Sequence, residues 1–108
     1  MIHLILRLEA CQNTDALKTL DVLRPVSDNI MKTLDMTVVG VVDHQFEPFG
    51  VTVVYLLAES HCSIHTFWET ASCYIDLFCC TDFDVDTARI LFVNGFGSQK
   101  YDETILSR

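Results

Sequence analysis

The sequence predicts an α+β fold: a two-layer sandwich in which an antiparallel sheet carries helices on one face. Three observations carry this reading. Apolar and β-branched runs of strand length occur at the start, through the middle and near the end of the chain. Helical spacing of apolar residues is confined to one region after the first strand and one shortly before the last, so helices and strands do not alternate as in βαβ units. Half of the 108 residues are hydrophobic, enough for one core without disulfides or metal, and no repeat, linker or low-complexity segment divides residues 1–108. One domain is expected.

The elements follow in order. Residues 2–9 are mostly apolar and end in charge, as a buried strand does. Asn13, Thr14 and Asp15 offer capping side chains to a helix that uses Ala16, Leu17, Leu20 and Leu23 as its apolar face. Pro25 interrupts that pattern; because proline suits a first helical turn, a second helix is placed from Pro25, with Val26, Ile30 and Leu34 facing the core. Residues 36–42 read as a strand and 43–50, with Pro48 and Gly50, as a connection. Residues 51–58 are apolar almost throughout, which predicts a central strand covered on both faces or nearly so. Residues 67–72 read as a turn and 73–80 as a strand. Its period of two sends Tyr74, Asp76, Phe78 and Cys80 to one face and Cys73, Ile75, Leu77 and Cys79 to the other. Asp82 and Asp84 precede a helix over 85–93, residues 94–98 end it, and 103–107 form the last strand.

The charge balance narrows the function. With 15 Asp and Glu against 7 Lys and Arg, the chain carries a net charge of −8, which argues against a nucleic-acid partner and suits a handler of cationic small molecules. No window reaches the roughly 18 uninterrupted apolar residues of a membrane span. The first residues, interrupted by Arg7 and Glu9, do not read as a signal peptide, so the expected location is cytoplasmic and the five cysteines are read as reduced thiols. No CxxC pair exists and Cys79 and Cys80 are adjacent, so no metal site is expected.

The densest chemistry lies in residues 57–66, where Glu59, Ser60, His61, Cys62 and His65 follow the apolar run. On spacing alone, a serine and a histidine near a strand end fit surface hydrogen bonding as well as catalysis. No GxSxG elbow is present, and no acid is placed by sequence to orient either histidine.

The segment Ala58-Glu59-Ser60-His61-Cys62-Ser63-Ile64-His65-Thr66 resembles the self-cleavage segment of the S-adenosylmethionine decarboxylase proenzymes of the short prokaryotic type. The resemblance extends over the first strand and helix, Pro48-Phe49-Gly50-Val51-Thr52, Glu69, the strand ending Ile75-Asp76-Leu77-Phe78-Cys79-Cys80, and the aspartate-led helix. It implies self-cleavage between Glu59 and Ser60 into chains 1–59 and 60–108. The Ser60 hydroxyl attacks the Glu59 carbonyl, the amide becomes an ester, and elimination leaves a dehydroalanine that hydrolyses to a pyruvoyl group and ammonia. The resulting ketone condenses with the amino group of S-adenosylmethionine and accepts the electrons released as carbon dioxide leaves.

The resemblance also assigns roles: Cys80 as the acid that reprotonates the α-carbon, His65 and Thr52 as assistants in processing, and Phe46, Phe67 and Glu69 as binders of the adenosyl part of the substrate. Aromatic faces also suit a sulfonium; from the residues alone, Phe46 and Phe67 fit simple packing equally. A homodimer of processed chain pairs, with part of the pocket across a two-fold axis, is implied as well, as is a place in spermidine synthesis. The chain departs from the family pattern at Phe67-Trp68, usually Trp-Pro, and at Thr81, usually Gly. Two alternatives therefore accompany the reading: a pyruvoyl decarboxylase acting on ornithine or arginine, and an unprocessed regulatory paralogue.

Overall fold

The computed structural model describes all residues, 1–108. Its elements are β1 (Ile2–Cys11), α1 (Thr14–Lys18), α2 (Leu20–Thr33), β2 (Val38–Gln45), β3 (Val51–Leu57), β4 (Ser60–Phe67), a 3₁₀ turn (Trp68–Thr70), β5 (Ser72–Cys79), α3 (Val85–Phe96) and β6 (Ser98–Ser107). The six strands form one sheet in the order β2-β3-β4-β5-β1-β6, every pairing antiparallel. The three helices lie on one face, as the α+β reading expects, and no helix is long and apolar enough to cross a membrane.

Alternation along the strands builds the core. Leu4, Leu6 and Leu8 of β1 and Cys73, Ile75, Leu77 and Cys79 of β5 point to the helices and are buried. The sequence placed the same β5 residues on one face, and Cys79 packs in the interior as expected. The helices answer with Leu17, Leu23, Ile30, Met31, Ala88, Phe92 and Phe96. One polar network sits within this layer: the Tyr55 hydroxyl donates to Asp28 at 2.6 Å and shares a 2.5 Å hydrogen bond with Ser27. Burial and the neighbouring carboxylate push its phenol well above the ordinary value. α3 starts on the Asp84 carboxylate, which accepts the backbone N–H of Asp86 and Thr87, and stops where Gly97 takes a φ of +62°.

Several expectations are corrected. β3 is covered on one face only: Val51, Val53, Tyr55 and Leu57 are buried, whereas Val54 and Leu56 are exposed, because no helix reaches the second face. The second helix starts at Leu20, not Pro25. The break falls at Thr19, whose extended backbone separates α1 from α2, and Pro25 lies inside α2. Proline deprives the Asp21 carbonyl of its helical donor, and burial of Leu23, Ile30 and Met31 along one face offsets that loss. β2 starts at Val38 and continues to Gln45, and β6 begins at Ser98 directly after α3. Gly95 is interior to α3, where a side chain would meet Val26 of α2, so it permits close helix packing and does not end the helix. Most consequentially, residues 60–67 form a complete strand, β4, that the sequence reading did not assign.

Candidate active site

β3 and β4 form a hairpin whose turn is Ala58-Glu59, with Leu57 paired to Ser60. Glu59 has a φ of +60°, a left-handed conformation that costs a residue bearing a Cβ about 1 kcal/mol or more. The turn is held from two sides. Ala58 donates its N–H to the Thr37 carbonyl at 3.0 Å, and Cys80 lies over the turn from the end of β5. The backbone N–H of Cys80 donates to Ser60 Oγ at 2.8 Å, and Cys80 Sγ donates to the Ala58 carbonyl oxygen at 3.6 Å. Ser60 is buried and Cys80 is not. A cavity of about 370 Å³ opens beside Ser60, lined in part by Met36, Leu57, Ala58, Cys79 and Phe83; Cys80 flanks the turn without lining the cavity. The geometry thus fixes a serine hydroxyl oxygen and a thiol around one strained backbone turn.

A second group of expected residues gathers at the other end of the hairpin, on the face without helices. Thr52 pairs with His65 across β3 and β4, and Thr52 Oγ1 lies 3.0 Å from His65 Nδ1. Phe46, Phe67 and Glu69 line the same pocket of about 380 Å³. Phe46 and Phe67 are 47% and 48% exposed, so packing in the core accounts for neither. Trp68 and Phe49 line this pocket as well. The Trp68 ring meets Phe49 edge to face at 5.4 Å, and Lys18 Nζ stands 4.9 Å from the Phe49 centroid and 5.5 Å from that of Trp68.

The two groups stay apart within one chain. Ser60 and His65 are five residues apart on β4, about 16 Å at 3.3 Å per residue, and they point to opposite faces. The structure brings Ser60 to Cys80 and Thr52 to His65, but not Ser60 to His65.

Three further residues position these groups, and the sequence reading named none of them for the site. Gln45, at the end of β2, accepts the N–H of Leu20 at 2.6 Å and donates to the carbonyls of Lys18 at 2.8 Å and Gly50 at 3.1 Å, which locks the turn bearing Phe46 onto the α1–α2 junction. Gly50, at a φ of +118°, completes that turn in a conformation open to glycine. Thr66, buried between His65 and Phe67, accepts the N–H of Val51 at 2.9 Å and donates to the Leu17 carbonyl at 2.7 Å. Nothing marks Gln45 in the sequence. Thr66 becomes readable once residues 60–67 are a strand, because it shares the inward face with Ser60, Cys62 and Ile64.

Comparison with known proteins identifies the family and the fold. The family model described as S-adenosylmethionine decarboxylase matches residues 2–108. An S-adenosylmethionine decarboxylase proenzyme of Archaeoglobus fulgidus is 38% identical over 89 residues, covering 82% of this chain and 80% of the relative. Proenzymes of Thermodesulfovibrio yellowstonii and a Synechococcus strain are 36% and 41% identical over 72% and 74% of this chain, and those matches span 57% and 62% of the relatives' own lengths. The crystal structure of the adenosylmethionine decarboxylase from Aquifex aeolicus superposes with a TM-score of 0.88 over 99% of this chain and 88% of that one, at 24% identity, which establishes the shared fold. With a family match over nearly the whole length and relatives at this identity, the chain belongs to the S-adenosylmethionine decarboxylase family.

Proposed function

We propose that this chain is a self-processing, pyruvoyl-dependent decarboxylase that converts S-adenosylmethionine to its decarboxylated form and carbon dioxide, supplying the aminopropyl donor for spermidine synthesis. The observation that carries the proposal is the hairpin turn: Ser60 opens β4 directly after a left-handed Glu59, with its oxygen held by the Cys80 N–H. Processing starts as Ser60 Oγ attacks the Glu59 carbonyl and forms an ester. Loss of the Ser60 α-proton then expels the Glu59 carboxylate and leaves a dehydroalanine. Water converts that residue to a pyruvoyl group and releases ammonia. The products are chains 1–59 and 60–108. The left-handed strain at Glu59 is released once it becomes a free C-terminus, which favours the cut state.

The residues present fit a pyruvoyl group at position 60, since a cavity adjoins the turn and a non-buried thiol lies beside it. That group supplies an electron sink for the decarboxylation. Cys80, whose thiol lies against the Ala58 carbonyl at the turn, holds the proton returned to the substrate α-carbon. Phe46 and Phe67 take the flat base of the substrate and Glu69 its ribose hydroxyls.

His65, oriented by Thr52, assists processing. Because it cannot reach Ser60 of its own chain, a second copy supplies it across a two-fold axis in a homodimer. The helix-free face, with Val42, Val54 and Leu56 exposed, supports that association. The five cysteines are free thiols, in keeping with a cytoplasmic enzyme.

Denaturing mass spectrometry of the purified, incubated protein tests the proposal. Two chains, 1–59 and 60–108, are expected, with a single uncut chain for Ser60→Ala. Persistence of the uncut wild-type chain would overturn the mechanism. Carbon dioxide release from S-adenosylmethionine, set against ornithine and arginine, then tests the substrate.

A further inference from the structure

Next to the Phe46 pocket, and sharing His65 and Phe67 with it, lies a groove of about 410 Å³ in which the proposed function gives Tyr74 no part. Four side chains line it: His65, Phe67, Thr70 and Tyr74. The register places Tyr74 directly opposite His65 across β4 and β5. Its ring meets that of Phe67 edge to face, with centroids 5.4 Å apart and planes at 88°. Tyr74 is 43% exposed, like Phe67 about half uncovered, so core burial fixes neither ring and each orients the other. On its other flank Tyr74 faces Arg7 of β1, which is engaged by Glu9 and Asp102, and there the apolar surface ends.

We propose that Tyr74 is a specificity-determining positioning residue, which holds the Phe67 ring on edge so that it presents a fixed wall to the flat heteroaromatic base of a nucleoside-containing substrate. This rests on the assignment of Phe67 to substrate binding. Tyr74 stands on β5 and acts through Phe67, so it governs affinity and not the chemistry at Ser60 and Cys80. Removing the ring frees Phe67 to change rotamer, and loss of one edge-to-face contact corresponds to about a fivefold change in affinity.

The test uses full-length protein in two forms. Affinity for S-adenosylmethionine is measured by calorimetry in the uncleavable Ser60→Ala chain, and KM and kcat are measured in the processed protein. Tyr74→Ala is expected to weaken binding and raise KM about fivefold with kcat within twofold, whereas Tyr74→Phe, which keeps the ring, restores both. In a Phe67→Ala background, Tyr74→Ala is expected to add nothing. Wild-type affinity in Tyr74→Ala, additive losses in the double variant, or a Tyr74→Phe as poor as Tyr74→Ala would each overturn the inference. A change of assembly state in Tyr74→Ala, read by sedimentation velocity, would do the same by placing the residue in subunit contact. Should Ser60→Ala with Phe67 and Tyr74 intact fail to bind S-adenosylmethionine, the substrate assignment itself falls, a result distinct from intact binding that ignores Tyr74.

Discussion

Thr66→Val is the sharpest test of how the hairpin is held. The substitution keeps the side-chain shape and removes the hydroxyl that accepts from the Val51 N–H at 2.9 Å and donates to the Leu17 carbonyl at 2.7 Å. Both residues are essentially inaccessible, with Leu17 at 0% and Val51 at 1% exposure. Each backbone group left without a partner costs about 1–3 kcal/mol, and the added methyl returns somewhat less than 1 kcal/mol, so a net loss of about 3 kcal/mol is expected. Thr66→Ser keeps the hydroxyl and gives up a buried methyl, worth about 1 kcal/mol. Urea unfolding of both variants in the Ser60→Ala chain, at fixed protein concentration, follows one continuous chain. At a slope of about 2 kcal/mol per molar, the valine variant should fall by about 1.5 M in midpoint and the serine variant by about 0.5 M, with unchanged slopes. A valine variant as stable as the serine one would refute the idea that this hydroxyl clamps β3 and β4 to α1.

The remaining expectations concern packing and thiols. A Cβ at Gly95 would stand 2.9 Å from Val26 Cγ1 and 3.4 Å from Ile30 Cδ1, so Gly95→Ala should cost about 1 kcal/mol net: overpacking of about 2 kcal/mol outweighs a gain of about 1 kcal/mol in helix propensity. Thermal melts check this, and the same change should cease to destabilise in a Val26→Ala background. Ellman's reagent at neutral pH should titrate one thiol per native chain, Cys80, and five after denaturation, with Cys80→Ser removing the native signal. The buried thiols should also make the fold labile to alkali. Burial raises Cys11 from 9.0 to about 11 and pushes Cys62 and Cys73 up as well, so the folded state keeps protons that the unfolded chain loses. Stability is therefore intact below pH 9 and falls as pH rises toward 11, which urea midpoints at pH 8 and pH 10 would show.

The sequence revealed most of the sheet because strand alternation is visible wherever one face is apolar and the other is not. β5 was assigned correctly face by face, since its inward residues Cys73, Ile75, Leu77 and Cys79 contrast with Asp76. β4 was hidden for the opposite reason. Its inward set includes Ser60 and Thr66, polar groups that reach backbone partners, and its outward set is His61, Ser63, His65 and Phe67, so no hydrophobic period appears. β3 misled because Val54 and Leu56 look like interior residues while facing the side that no helix covers. At the site, sequence could name Phe46, Thr52, His65, Phe67 and Glu69, and these do line one pocket. It could not show that His65 points away from Ser60, because that depends on strand parity in an element not yet recognised.

The strand order has a consequence for any cut at Glu59–Ser60. Residues 1–59 own β1, β2 and β3, and residues 60–108 own β4, β5 and β6, yet β1 is threaded between β5 and β6 while β3 pairs with β4. The two pieces are interleaved like the fingers of clasped hands. Neither can depart without breaking three strand pairings at once, so losing the covalent link leaves the assembly mechanically intact. The same interleaving makes the history of the molecule one-way. The continuous chain closes this arrangement as a single unit, whereas separated pieces must meet by diffusion and insert a strand between two neighbours. Denaturing the cut protein and diluting it should therefore recover little native sheet, while the uncut Ser60→Ala chain, given the same treatment, should refold.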